Sequence, residues 1–132
     1  MSELRGIPIA VANESGNVPL LLHQVRHALE ALLTNGNSTT IDLRAIPLAP
    51  GEPERLLETL GNGEVRAEVE ALGRSVVYET SIAGVWVVEH FDQQGALSSR
   101  FIEVATVPEW LHAGAVDMRE GLDRLTTALR AI

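Results

Sequence analysis

Three consecutive segments, "SVVYETS" from Ser75, "GVWVVEHF" from Gly84 and "SSRFIEVATV" from Ser98, are dense in Val, Ile, Tyr, Phe and Trp. Such side chains fit a pleated, half-buried surface, and connections as short as "DQQG" join antiparallel neighbours, with Gly95 suited to positive φ. "EVRAEVEALG" alternates Val65, Ala67, Val69 and Ala71 as a strand does, while its Ala, Glu and Leu also favour helix; the bracketing Gly63 and Gly73 favour a further strand. The rest of the chain must therefore pack against an antiparallel meander.

Helices precede and follow it. Asn17 is placed to cap a first helix and Pro19 suits its first turn; Val18, Leu21, Leu22, Val25, Leu29 and Leu32 then recur at the spacing of one buried stripe, and Gly36 ends it. "TTIDLRAIPL" predicts a short strand ending before Pro47. In "PGEPERLLETLG", Pro53 opens a compact helix, Leu56, Leu57 and Leu60 line one side, and Gly61 closes it in a left-handed conformation. "PEWLHAG" reads as a single helical turn. From Val116 a last helix carries Met118, Leu122, Leu125, Leu129 and Ile132 as an apolar stripe. Helices packed mainly on one face of an antiparallel sheet make an α+β fold, and 132 residues with 45% hydrophobic content suit one domain, 1–132.

Composition removes several functions. The net charge is −8 and the ten basic residues, all arginine, are scattered, so no basic stripe exists to neutralise nucleic-acid phosphates. With no cysteine the chain lacks thiolate zinc sites, thiol nucleophiles and the usual iron–sulfur ligands; with no lysine it lacks Schiff-base chemistry and a P-loop lysine. The apolar piece near the N-terminus is short and broken by Pro8, so neither a secretion signal nor a membrane span is expected, and the expected location is the cytoplasm.

Two histidines invite a metal reading. His23 and His27 stand four apart on the outer face of the first helix, where i and i+4 side chains could share an ion. A metalloprotease helix needs glutamate directly after the first histidine, where Gln24 stands, and only Glu30 or the distant His90 offers a further ligand. The prediction is no metal and no cofactor, with a metal-handling or small-molecule-binding domain built on His23 and His27 as the alternative. "LGNGEV" contains G-x-G, but it follows a helix and precedes a strand, the reverse of a dinucleotide loop, so it is expected to shape the chain. No serine sits in a nucleophile elbow, and no catalytic residue is assigned.

The hairpin carries the remaining polar–apolar mixture. With its turn centred on Gln93 and Gln94, Trp86 and His90 share a face with Leu97 and Phe101. Val85, Val87 and Glu89 share the other with Arg100 and Ile102, placing Glu89 and Arg100 diagonally. Both faces are apolar over most of their length, and a small helix set covers one. A partner surface is therefore predicted around Val85, Trp86, Val87, Val88, His90, Phe101 and Glu103, buried by a client or in a homodimer.

Three stretches, "IDLRAIPLAPGEPERLLETLGNGEVRAEVEALG", "YETSIAGVWVVEHFDQQG" and "FIEVATVP", resemble the HupH/HyaF family of hydrogenase expression proteins. That family's C-terminal domain carries an "IDLR…PL" strand, an "LGxGEV" turn, an "ET…GVW" strand and an "IEV…VP" strand in this order. The match runs from about Val18 to Leu111. The resemblance implies a non-enzymatic accessory factor, a chaperone in maturation of an uptake nickel–iron hydrogenase. Its implied partners are the iron–sulfur small subunit precursor and other maturation factors. Familiar members carry a further region ahead of this domain, which a shorter chain could replace by dimerising.

Overall fold

The computed structural model describes residues 15–70 and 72–132. Its elements are helix α1 (Asn17–Asn35), strand β1 (Thr39–Asp42), helix α2 (Glu52–Leu60), strands β2 (Arg66–Glu70), β3 (Arg74–Glu79), β4 (Val85–Phe91) and β5 (Leu97–Val104), and helix α3 (Ala115–Ala131). Short 3-10 turns follow β1 (Leu43–Ala45) and β5 (Glu109–Leu111). The expected α+β architecture holds. The sheet runs β1-β5-β4-β3-β2 with every pair antiparallel, so β2 to β5 form the meander and β1 closes its far edge against β5.

Strand alternation gives the two faces different tasks. Val85 and Val87 of β4 and Ile102 and Val104 of β5 point to one side, where all four are fully buried. Val85, Ile102 and Val104 form one core with Val18, Leu21, Val25 and Ala28 of α1 and Leu56 and Leu60 of α2. Farther along this face, Arg100 donates from Nε to Glu89 at 2.8 Å. The two are directly opposite in the ladder, not diagonal. Burial beside the Glu89 carboxylate pushes the Tyr78 phenol above its ordinary pKa.

The helices are anchored at their ends. α1 begins after Gly16, which has φ 85°, and not with Asn17 as a cap; the Asn17 side chain instead donates to the Pro47 carbonyl at 3.0 Å. Gly36 ends the helix in the left-handed conformation expected of it, at φ 74°. Glu52, the first residue of α2, is buried and accepts from Ser15 Oγ at 2.6 Å, Ser15 N at 2.9 Å and Ala49 N at 2.6 Å. These bonds, the Ser15 hydroxyl foremost, hold its pKa below the ordinary glutamate value.

The G-x-G turn is structural. The last carbonyl of α2, on Leu60, accepts from both N and Oγ of Ser81 (2.9 and 2.6 Å) in the β3–β4 turn, and Gly63 N donates to Glu79 O at 2.7 Å. A Cβ on Gly61 would come within 2.8 Å of Ser81 Oγ, and one on Gly63 within 2.6 Å of Thr80 O. Gly61 adopts φ 74°, ψ −169°, outside the expected left-handed helical well and in a region essentially restricted to glycine. "LGNGEV" and "ETSIAGVW", separate in sequence, are thus two halves of one junction.

The same turn reaches the end of β5. Gly84 O accepts from Ala105 N at 2.9 Å, and Ala105 O accepts from the indole of Trp86 at 3.0 Å.

α3 differs from the other helices, since each of its residues is exposed. Met118, Leu122, Leu125 and Leu129 retain 56–64% of their surface.

Candidate functional site: an aromatic shelf on the open sheet face

The face away from α1 and α2 carries Trp86, Val88 and His90 of β4, Val77 and Ser75 of β3, and Phe101 and Glu103 of β5. Val77, Trp86 and Val88 are buried, packed with the half-buried Phe101 and with Leu111 from the turn after β5. Pro108 forces an extended start to that turn, and Glu103 holds it in place by accepting from Glu109 N at 2.8 Å. One end of the face is therefore roofed by the chain itself.

Beyond the roof the surface opens. Trp110 projects from the turn with 46% of its surface free, and its ring lies 4.9 Å from that of His90. His90 in turn meets Phe101 edge-on at 6.1 Å and is fixed by a 2.7 Å hydrogen bond between Nδ1 and Ser75 Oγ. Tilted and edge-to-face rings at these separations are attractive. Two shallow clefts share this His90–Trp110 pair. One, of about 210 Å³, is bounded by Thr40, Phe101, Glu103 and Glu109. The other, of about 430 Å³, is bounded by Leu72, Gly73, Phe91 and Asp92. Leu72 stands 85% exposed at its edge.

This arrangement offers rigid apolar and aromatic surface with carboxylates at its rim, chemistry suited to holding a protein segment. The Ser75–His90 pair lacks the features of a hydrolytic dyad among the described residues. Ser75 is buried, and among the described residues no carboxylate hydrogen-bonds His90 to orient it.

Of the seven residues singled out from sequence, five lie on this face. His90 and Phe101 reach its surface, Trp86 and Val88 form its floor, and Glu103 braces its roof. Val85 and Val87 lie on the opposite face, covered within the chain and without free surface. The hairpin register also departs from the expected one. The turn spans Asp92–Ala96, with Gly95 at φ 87°, and Val88, not Trp86, opposes Phe101. From Val85 to His90 this is a two-residue slip, so each of these side chains keeps its face. A bulge between His90 and Phe91 then sets Leu97 opposite Phe91.

Trp110, Leu72 and Ser75 were not among the expected residues. A tryptophan two residues after a proline, just past the last strand, was the available signal for the first.

His23 and His27 are exposed on α1. His27 Nδ1 lies 3.4 Å from Glu30, which Arg26 also approaches at 3.7 Å. Among the described residues no three His, Asp or Glu side chains converge as a metal site would require. No described helix is long and apolar enough to cross a membrane.

Known proteins resemble this chain along nearly all of its described length. A family model described as "HupH hydrogenase expression protein, C-terminal conserved region" matches residues 16–132. The hydrogenase expression/formation protein HoxQ of Azotobacter vinelandii is 29% identical over 115 residues, 87% of this chain and 40% of that protein. HupH of Rhizobium leguminosarum bv. viciae is 34% identical over 92 residues, 67% of this chain and 32% of its own. The chain thus spans two-fifths or less of these two relatives. A solved structure, the hydrogenase expression protein HupH from Thiobacillus denitrificans, superposes with a TM-score of 0.84 at 39% identity, covering 90% of this chain and 99% of that one.

Proposed function

The chain belongs to the HupH hydrogenase expression family, in its C-terminal conserved region, and from that premise we propose a non-enzymatic assembly chaperone for a nickel–iron hydrogenase. Its client is the iron–sulfur small subunit precursor, held on the aromatic shelf while the subunit is prepared for export. The observation that carries this reading is the His90–Phe101–Trp110 cluster, exposed on the side of the sheet that α1 and α2 leave open. An absence of thiols suits a protein that handles a cluster-bearing client without competing for the metal. The names of the relatives, expression and formation proteins, agree with an accessory role.

Electrostatics favour the same client. The small subunit's export signal is of the twin-arginine type, and an acidic protein with Glu109 and Asp92 at the rim of its clefts attracts a basic segment. The test is co-purification of the precursor with this protein in cells making hydrogenase. Trp110→Ala combined with His90→Ala should reduce precursor capture at least tenfold while the protein remains folded. His23→Ala with His27→Ala, on the far helix, should capture normally. Undiminished capture by the shelf variant would place the client elsewhere.

A further inference from the structure

Apart from Val116, the large apolar residues of α3 keep a narrower spacing than those of α1. With Ala115 ahead of them and Ile132 just past the helix end, Met118, Leu122, Leu125 and Leu129 are spaced 3-4-3-4-3, the alternation of a coiled-coil seam. A seam this narrow fits another helix, whereas a sheet face calls for the wider band that α1 presents with its paired Leu21–Leu22 and Ala28–Leu29. Among the described residues, α3 is the one helix with such a seam left uncovered.

Gly121 adds an independent observation. It sits in the interior of α3, where glycine disfavours helix, and a Cβ built on it would meet nothing within 4 Å. Nothing among the described residues needs the missing side chain. Gly121 and Ala128 are seven apart and flank the seam on one side, so a facing helix could approach closely there.

The charges choose the orientation. Residues 115–123 hold Asp117, Glu120 and Asp123 against Arg119, a net −2; residues 124–132 hold Arg124 and Arg130, a net +2. Two copies aligned antiparallel set each acidic half beside a basic half and oppose their helix dipoles, whereas parallel copies set like against like. In that alignment Leu122 faces Leu125 of the second copy, Met118 faces Leu129, and Gly121 faces Ala128. The seam is complementary to itself.

We propose that α3 is a dimerisation helix, pairing antiparallel with α3 of a second copy of this chain. The pairing uses none of the residues of the aromatic shelf, and it stands or falls separately from the identity of any client.

Light scattering on the whole chain should give a dimer, and Leu122→Asp with Leu125→Asp should give a monomer that melts at the parent monomer's temperature. Gly121→Leu removes a helix-disfavouring residue yet should raise the dimer dissociation constant at least tenfold. Because the chain has no cysteine, orientation can be read directly. Met118→Cys mixed with Leu129→Cys should oxidise to a cross-linked heterodimer, and neither variant alone should cross-link efficiently. A wild-type monomer at all accessible concentrations, a dimer that survives the double aspartate change, undiminished pairing of Gly121→Leu, or preferential 118–118 cross-linking would each overturn the proposal. In the monomer case, protection of α3 only when the hydrogenase precursor is added would assign the seam to the client instead.

Discussion

Helices α1 and α3 have similar lengths, 19 and 17 residues, and both carry apolar side chains at helical spacing, yet they meet opposite fates. α1 buries Val18, Leu21, Val25 and Ala28 on the sheet, while α3 buries none of its residues. The period of a hydrophobic pattern says that a helix has a face to cover, and the width of the pattern says what can cover it. A broad band suits the pleated sheet under α1; a two-position seam does not. The contrast also divides the molecule energetically into a part whose stability resides within one chain and a part whose burial awaits a second surface.

The largest expected effect lies on the buried side of that contrast. Leu21→Ala should destabilise the fold by about 2–5 kcal/mol in chemical denaturation, since Leu21 is 2% exposed at the centre of the α1–sheet core. A loss below about 1 kcal/mol would mean that α1 is as loosely held as α3. Gly61→Val comes next, at about 1–3 kcal/mol, because its backbone conformation disfavours any side chain and the new atoms meet Ser81. Lost client binding with unchanged stability would make that turn a contact surface instead of a joint.

Acid sharpens the comparison further. Glu52 has a lowered pKa when folded, so its contribution is present above the ordinary glutamate range and is lost as pH falls through the lowered value. Glu52→Gln should flatten the acid limb of the stability profile, read as melting temperature against pH. An unchanged profile would remove Ser15 and Ala49 from the account of how α1 and α2 are tied together. The smallest effect belongs to α3: Leu125→Ala, at 60% exposure, should shift the stability of the monomer by no more than about 0.5 kcal/mol. A loss comparable to that of Leu21→Ala would show that α3 packs on its own chain in solution.

Much of this was legible in the sequence because period and punctuation are local. The meander, the stripe of α1, the positive φ of Gly95 and the helix-ending glycines all follow from residues near them. The hairpin register was not legible, because its five-residue turn is organised by the Asp92 carboxylate, which accepts from both Gln94 N and Ala96 N at 2.9 Å. That geometry moves the partners of Val85 to His90 by two places while preserving their faces, and the bulge after His90 then takes Leu97 out of step and sets it opposite Phe91. Burial of Val85 and Val87 depended on which face α1 and α2 would choose, a tertiary decision that alternation alone leaves open. Trp110 joins His90 only because Glu103 pins the turn that carries it.

Strand β1 has a consequence in time as well as in space. It is made before the other strands of the sheet, yet its partner is the last of them, Thr39 pairing with Val104 and Asp42 with Phe101. The stripe of α1 waits likewise for Val85, Ile102 and Val104. During synthesis α1 and β1 therefore lack the sheet they pack on until β4 and β5 have emerged, and their apolar side chains stay open to chaperones or to aggregation for that interval. A chaperone of another protein's precursor would thus depend, in its own birth, on a late non-local closure.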